Sequence, residues 1–594
     1  MKARLEEEVR SAQLVSHLMF KLLPLQMLLV GVSVANDIVS SLFASNAVGV
    51  DSMAAIGLYS PIISLISAIS ILLASGSQIL ASQFMGKNEI ERMRGIFTLN
   101  IILTFVFGIA LVVLHLFMVA AGITDILASD PSVCSYLDQY VLGKTIGLLP
   151  FLVGMQLSAF LSVENQIART TLASIAFIVS NIAFHVWFVV VLHLQAFGMA
   201  LASSLGSCIF AGLLVLPYIT GKTSVGFSIK TLHWRDMTSI FKLGSPDALV
   251  NVYFMIRALV FNAMILASVG TVGLSAYTTV YTFMFVFWTL PDGMLAVSRM
   301  LIGVSVGEED RQTLVDIMRV MFSWYVPLMI AVSAVVCLCA EPLTNLYYHD
   351  PSQEVYQMTV WGFRIFPWCL PLSIISMHFS CYGNTMGKSF YVHVITLMDG
   401  MVCVLAFGAL LLPLLHINAT YLAYVLRGVA ICVFVLLYAW HHNGRRPQSM
   451  ADLMMIPRDF GVEQDARLDL CVRSVEEVVT VSQQVRAFCK ERGVDARRTL
   501  LAGLALEEMA GNVVKHGFTS DKRRHSADIR VVHKDDDLIL RIKDDCAPFN
   551  PAERREMIDP QDKTKGIGIR MVFSIASTIT YQQILGMNVL TIRI

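Results

Sequence analysis

The chain has 594 residues, 56% of them apolar and 15% charged, where a soluble protein carries roughly 25% charged residues. Its 44 basic and 44 acidic residues cancel, which excludes a bulk electrostatic attraction to nucleic acid. This is the composition of a polytopic membrane protein with a soluble part attached.

Residues 1–18 are charged and lack a small-residue cleavage site, so they read as a cytoplasmic segment and not as a removable signal peptide. Apolar runs follow at 19–40, 54–82, 97–121, 139–161, 170–193, 197–220, 241–268, 273–300, 316–340, 357–381, 391–414 and 419–440. Each is long enough to cross a bilayer, which takes about 20 apolar residues. The first carries one carboxylate, Asp37. An acid in hydrocarbon costs at least ~2.5–3.5 kcal/mol and seldom sits there idle. Ser33, Asp37, Ser40 and Ser41 share one helix face, a polar stripe expected to face a bundle interior or wet cavity. A proton or cation site is the functional reading, and an acid kept neutral for packing is the alternative.

The loops after the odd spans, for example 122–138 and 341–356, contain no Lys or Arg. The loops after the even spans carry Lys87, Arg92, Arg94, Arg169, Lys222, Lys230, Arg235, Arg311, Lys388, Arg445 and Arg446. The positive-inside rule then predicts two cytoplasmic termini on a multi-pass protein of the cell membrane. A shift of 221 residues aligns Val48-Gly49 with Val269-Gly270, Ala55 with Ala276, and Gly86 with Gly307. That offset predicts two six-span halves, 19–222 and 223–442, with a cavity between them. Lys144, Arg257, Asp292, Arg364, Asp399 and Arg427 also fall in or near spans, as pairs or snorkelling side chains without an assigned substrate role. The 11 cysteines form no CxxC and lie mostly in apolar runs, so they read as small hydrophobes of a reduced protein.

Beyond Asn443 the composition changes. Residues 443–465 read as a linker and 466–594 as a small α+β domain. Strands are predicted at 467–473, 526–533, 537–544, 578–584 and 588–594, and helices at 475–492, 496–516 and 567–577. Glu508, Asn512 and His516 share a face of the second helix. A carboxylate, an amide and an imidazole so placed suit a metal-phosphate site. Asp544-Asp545-Cys546 ends a strand, and Gly566-Ile567-Gly568 opens a helix whose backbone can approach phosphate oxygens.

In the membrane part, Pro24, Asp37, GVDSMAAIGLYSP (49–61), SQFMGKNEIERMRGIF (82–97), NIAFHVWFV (181–189), GMALASSLGS (198–207) and TLPDGMLAVSRMLIGVSVGEED (289–310) resemble the multidrug and toxic compound extrusion (MATE) transporters. The resemblance covers about 10–440. It implies an all-α domain of 12 transmembrane helices in two six-helix halves, and antiport of organic, often cationic compounds against H⁺ or Na⁺. It further implies a cation site of Asp37, Asn181 and Ser203, with His185 where the family often has Asp. His titrates near neutrality and removes a hard oxygen ligand, which favours H⁺ over Na⁺. An alternative substrate is a lipid-linked precursor, since related twelve-span folds export such molecules.

In the tail, the boxes at 508–516, 544–551 and 566–568 resemble histidine-kinase-like ATP-binding domains, of the branch that includes anti-sigma-factor serine kinases. The resemblance implies an α+β sandwich binding Mg²⁺-ATP. Asn512 is the expected Mg²⁺ ligand, Glu508 the acid that can act as base, Asp544 the adenine-binding carboxylate, and Gly566 and Gly568 the phosphate-side glycines. Cys546 stands where Gly is common, placing a Cβ against the adenine side. No phosphoacceptor-histidine helix pair precedes the domain, which argues against a complete sensor kinase. The expected whole is a cation-coupled exporter with a nucleotide-binding tail that acts on it or on a cytoplasmic protein partner. A membrane-anchored serine kinase or anti-sigma-like switch, with the transporter fold as sensor, is the alternative.

Overall fold

The computed structural model describes residues 50–594 apart from 88, 125–130, 165, 222, 224, 459, 463, 519–524, 535–536, 548, 558–566 and 585–586, together with some residues between 16 and 28. Two compact units emerge. Of the described residues, one holds those up to 308 and 312–456, the other 309–311 and those from 457 to 594.

In the first unit, 11 helices among the described residues are long and apolar enough to span a membrane. They are α1 (Ile62–Lys87), α2 (Ile90–Ala120), α3 (Val133–Val163), α4 (Ile167–Val191), α5 (Gln195–Ile219), α6 (Asp236–Ser268), α7 (Val272–Gly307), α8 (Arg311–Leu338), α9 (Glu354–Thr385), α10 (Ser389–Leu415) and α11 (Ile417–Asn443). Each overlaps one of the expected spans from the second to the twelfth. The greater part of the first span, with Asp37, lies outside the described residues. Three of these helices are interrupted by π turns, at Val186–Val191, Met321–Tyr325 and Met398–Val402. Such turns re-aim neighbouring side chains and recur at functional positions.

The halves meet through backbone. A Cβ at Gly244 of α6 would overlap the carbonyl of Leu72 on α1, and one at Gly76 would overlap that of Ile240. Further along, Gly86 abuts Val304 of α7 while Gly307 abuts Gln83. Gly86 and Gly307 are the two positions the 221-residue shift equates, and they face one another. In lipid, small residues allow helices this close approach, and packing replaces the missing hydrophobic force.

After α11 the chain does not leave this unit at once. Ser449 accepts from Asp452 N as the N-cap of a short helix, α12 (Met450–Leu453). Asn443 Nδ2 donates to Asp452 O at 2.7 Å, and Lys388 Nζ donates to Met454 O at 3.2 Å and Met455 O at 2.7 Å. Met454, Met455 and Ile456 are buried.

The second unit has a five-stranded antiparallel sheet in the order β1-β2-β3-β5-β4. Its strands are β1 (Arg467–Val472), β2 (Ala527–Lys534), β3 (Asp537–Asp544), β4 (Thr578–Ile584) and β5 (Met587–Arg593). The helices are α13 (Val475–Glu491), α14 (Ala496–Asn512), α15 (Pro551–Met557) and α16 (Ile567–Ile575). Strand β3 alternates buried and exposed residues, with Leu538, Leu540 and Ile542 inward. They join Val485, Leu506 and Met509 of α13 and α14 and Val572 of α16 in one core. One face of the sheet thus carries the helices. Helix α14, which carries Glu508 and Asn512, is fixed by this core, and α15 is the element the strand and helix patterns had not indicated.

Replacing Gly244 by Ala puts a methyl against the Leu72 carbonyl. The expected cost is about 1–3 kcal/mol, the usual penalty of overpacking. Thermal unfolding of the purified protein in detergent should show a lowered midpoint for Gly244→Ala. The open position Gly212, with nothing within 4 Å, serves as control.

Candidate functional sites

In the first half, Asn181 and His185 lie one turn apart on α4, 1% and 0% exposed. His185 Nδ1 is 2.7 Å from the Asn181 carbonyl. A carbonyl only accepts, so Nδ1 carries a proton. Asn181 packs against α5 at Gly206, three residues beyond Ser203. The Ser203 hydroxyl donates to Met199 O at 3.2 Å. The structure therefore sets Asn181 and His185 together on the α5 side. Asp37 lies outside the described residues.

In the second half, a cavity of about 410 Å³ is lined by Asp247, Arg257, Asp292, Arg299, Asp399 and Arg427 among others. Arg299 pairs with Asp247 at 3.2 Å, and Ser75 of α1 donates to the same carboxylate. Arg427 pairs with Asp399 at 3.5 Å and donates to Ser373 Oγ at 2.9 Å. Asp399 sits in the π turn of α10. Arg257 Nη2 donates to Tyr281 OH at 3.3 Å, and its guanidinium lies over the Phe254 and Tyr424 rings at 4.5 and 5.2 Å. Among the described residues no carboxylate lies within ion-pair distance of Arg257, and no group accepts from its buried Nη1. Of the other charges read in or near spans, Arg364 pairs with Glu341 at 2.9 Å and Lys144 lies over the Tyr140 ring at 5.4 Å.

In the second unit, α14 presents Glu508 and Asn512, with Asn512 Nδ2 donating to Glu508 Oε1 at 3.2 Å. That bond uses the Asn512 amide nitrogen and leaves its oxygen, the atom type that Mg²⁺ takes as ligand, out of the contact with Glu508. Gly568, at the start of α16, lies against Glu508, where a Cβ would overlap the carboxylate. A pocket of about 150 Å³ is lined by Asn512, His516, Asp544, Cys546, Tyr581 and Asn588. Asp544 Oδ1 accepts from Asn588 Nδ2 at 2.7 Å and from Cys546 N at 3.0 Å. Tyr581 OH donates to Asn588 Oδ1 at 2.7 Å and accepts from Phe549 N at 3.1 Å. Burial pushes the Asp544 carboxyl above its usual range, and the bonds from Asn588 and Cys546 pull it partly back. Of the expected residues, Asn512 and Asp544 line this pocket, while Glu508 and Gly568 meet each other beside Asn512 and outside its lining. Gly566 lies outside the described residues.

Residues 32–187 and 246–410 match the MatE family model, together more than half of the chain. The chain belongs to the MatE family. The two matched stretches fall one in each half of the membrane unit. Residues 472–594 match a model described as a histidine kinase-like ATPase domain. Among solved structures, the chain is similar to a MATE protein in complex with MaL6, at 17% identity and a TM-score of 0.66, covering 72% of this chain and 97% of that one. It is also similar to an outward-facing multidrug resistance MATE transporter of the MOP superfamily, at 17% identity and 0.65, covering 71% and 95%. A third is a MOP superfamily transporter from Pyrococcus furiosus, described by a reversed polarity of its binding pocket, at 17% identity and 0.64, covering 72% and 96%. At these identities the likeness is one of fold. No curated protein matches the chain.

For this MatE chain, four positions went unread in the sequence: Asp247 and Arg299 in the membrane, Tyr581 and Asn588 in the tail. Arg299 sits inside the motif at 289–310 that carries the resemblance, so a charge count of that motif would have raised it. Asn588 carries no local signal. It reaches Asp544 because β5 pairs with β3 in the register that sets the two opposite each other.

Asn588→Ala should weaken binding of a fluorescent ATP analogue by roughly 1–3 kcal/mol, since it leaves buried Asp544 without its side-chain donor. The same assay has a pH dependence. An adenine amino group needs the ionised carboxylate as acceptor, and burial raises the proton affinity of Asp544. Binding should therefore fall on acidification, beginning above the ordinary carboxylate value of about 3.9. Affinity that holds level until that value is passed would remove Asp544 from base recognition.

Proposed function

We propose that the chain is a cation-coupled antiporter that exports organic or xenobiotic compounds, with H⁺ favoured over Na⁺ as coupling ion, and that its tail is a Mg²⁺-ATP-binding regulatory domain. The observation that carries the transport reading is the pair Asn181 and His185, buried in a span of a MatE fold with the imidazole proton assigned to Nδ1. An imidazole facing a bundle interior can take and release a proton at Nε2, and it offers Na⁺ no hard oxygen. Asp37, on the polar stripe of the first span, and Ser203 complete the proposed site. Organic substrate would occupy the charged cavity of the second half. Four of its charges are already paired, as Arg299 with Asp247 and Arg427 with Asp399, so these bear little further desolvation cost when substrate enters.

In the tail, Asn512 would hold Mg²⁺ through its amide oxygen and Asp544 would accept from adenine. Gly566 and Gly568 would let the helix start approach the phosphates. Bound Mg²⁺ would neutralise phosphate charge. Glu508, held by Asn512, is placed to take a proton from a Ser or Thr hydroxyl if the tail phosphorylates a cytoplasmic partner. The pocket of about 150 Å³ is smaller than the 300–1,000 Å³ of whole-ligand sites, so it fits the base end of a nucleotide. One nucleotide-binding domain per chain supplies regulation more readily than a power stroke, and a proton gradient already drives antiport.

The test is transport by purified protein in vesicles with imposed gradients. Export should follow an imposed pH gradient, and Asp37→Asn should abolish it because an amide exchanges no proton. Transport that follows Na⁺ and ignores pH would overturn the choice of ion. Removing 457–594 should leave gradient-driven export measurable. A truncated protein that inserts but exports nothing, beside a full-length protein that exports only with ATP inside, would make the tail the motor. For orientation, single cysteines introduced into 122–138 and 341–356 should label from outside the cell. Those in 223–236 should not, and the reverse pattern would invert the topology.

A further inference from the structure

We propose that His525, Asp545 and Cys546 form a binding site for one divalent metal ion of the zinc type, beside the pocket that holds Asp544. The register of the sheet brings them together. Ala527 of β2 is paired with Asp544 of β3, so the residues just before β2 and just after β3 come together at one end of these two interior strands. Each of the three offers one ligand atom, and these atoms lie within 4.8 Å of one another. They are not a loose surface cluster. The His525 side chain is 3% exposed and its Nδ1 lies 2.8 Å from Asp545 Oδ1. Its ring stacks on Phe518, with centroids 5.8 Å apart and planes at 30°. Cys546 Sγ lies over Gly517, where a Cβ would stand 2.9 Å from the sulfur. Glycine at 517 is what leaves the thiol its place.

The donor set selects the ion. A thiolate, an imidazole and one carboxylate suit zinc, with bonds of about 2.3, 2.0–2.1 and 2.0–2.2 Å, and three protein ligands leave a fourth position for water. Mg²⁺ prefers oxygens and an octahedral shell, so this site does not compete for the metal assigned to Asn512. On binding, the Cys546 thiol releases its proton to solvent, and no electron is transferred.

The ion would also act on the neighbouring pocket, an effect that rests on the nucleotide reading above. Cys546 N donates to Asp544 Oδ1 at 3.0 Å, and Cys546 O accepts from Asn588 Nδ2 at 3.0 Å. Holding the Cys546 side chain holds the backbone that aims Asp544. Metal occupancy should therefore tighten nucleotide binding by pre-organising that carboxylate.

The experiment uses the full-length protein, stripped with chelator and titrated with Co²⁺ in the absence of nucleotide. One equivalent should bind and produce a thiolate-to-cobalt charge-transfer band. The band should vanish in Cys546→Ser, and affinity should fall at least about tenfold in His525→Ala. Cys489→Ser, which alters a thiol buried in the core of the same domain, should leave both unchanged. A wild-type spectrum without the thiolate band overturns the site, even if a variant fails to fold. So does a band that survives in Cys546→Ser. The second readout is affinity for Mg²⁺ with an ATP analogue, with and without Zn²⁺. It should rise several-fold with Zn²⁺ in the wild type and stay constant in Cys546→Ser. A wild type that loads Co²⁺ but binds nucleotide equally with and without Zn²⁺ refutes the link between the sites. A protein that loads Co²⁺ and binds no nucleotide at all refutes the nucleotide reading, and the metal site stands.

Discussion

Inside a bilayer a polar group must find its partner within the protein, because there is no water to supply one. The second half of the membrane unit is arranged around this constraint. Six charged side chains line one cavity, and four of them are tied as Arg299 with Asp247 and Arg427 with Asp399. The π turn of α10 places Asp399 where Arg427 can reach it. Arg257 is held instead by a tyrosine hydroxyl and two aromatic faces. Cation–π contacts gain strength when desolvated, so a guanidinium can be kept here without a dedicated carboxylate. The two pairs each join neighbouring helices at the cavity wall, α6 with α7 and α10 with α11.

The same constraint explains how much of the architecture was legible. Spans are readable because lipid excludes charge from runs of about 20 residues, and eleven of the expected twelve reappear among the described residues with shifts of only a few residues. The repeat was readable at Gly86 and Gly307 because close backbone approach tolerates little else at those points. The tail was readable through the alternation of β3 and the amphipathic α13 and α14. Pairing was not readable. Arg299 and Asp247 are 52 positions apart on different helices, and no local pattern says which acid meets which base. Asn588 is invisible for the same reason, since its value lies in a strand register. In the linker region, Ser449 before Asp452 is a capping signal, but Lys388, which holds the Met454 and Met455 carbonyls, comes from a distant loop.

That anchoring alters how the tail can act. A free coil of about 20 residues would spread over about 25 Å, and a nucleotide-dependent change in the tail would be lost in its motion. Here residues 443–456 are fastened to the membrane unit through α12, Asn443 and Lys388. Lys388 caps α10, whose π turn carries Asp399. Residues 454 and 455 are thereby joined to the start of a helix that lines the charged cavity.

The two units then divide the chemistry by dielectric. In the membrane, the buried His185 imidazole is satisfied at Nδ1 by a backbone carbonyl of its own helix. In the tail, an amide on Asn512, a buried carboxylate on Asp544 and a thiol on Cys546 adjoin one pocket, and Asp544 is tied to Cys546 through the backbone N–H of that residue. The position of the Cys546 backbone therefore bears directly on that of the Asp544 carboxylate.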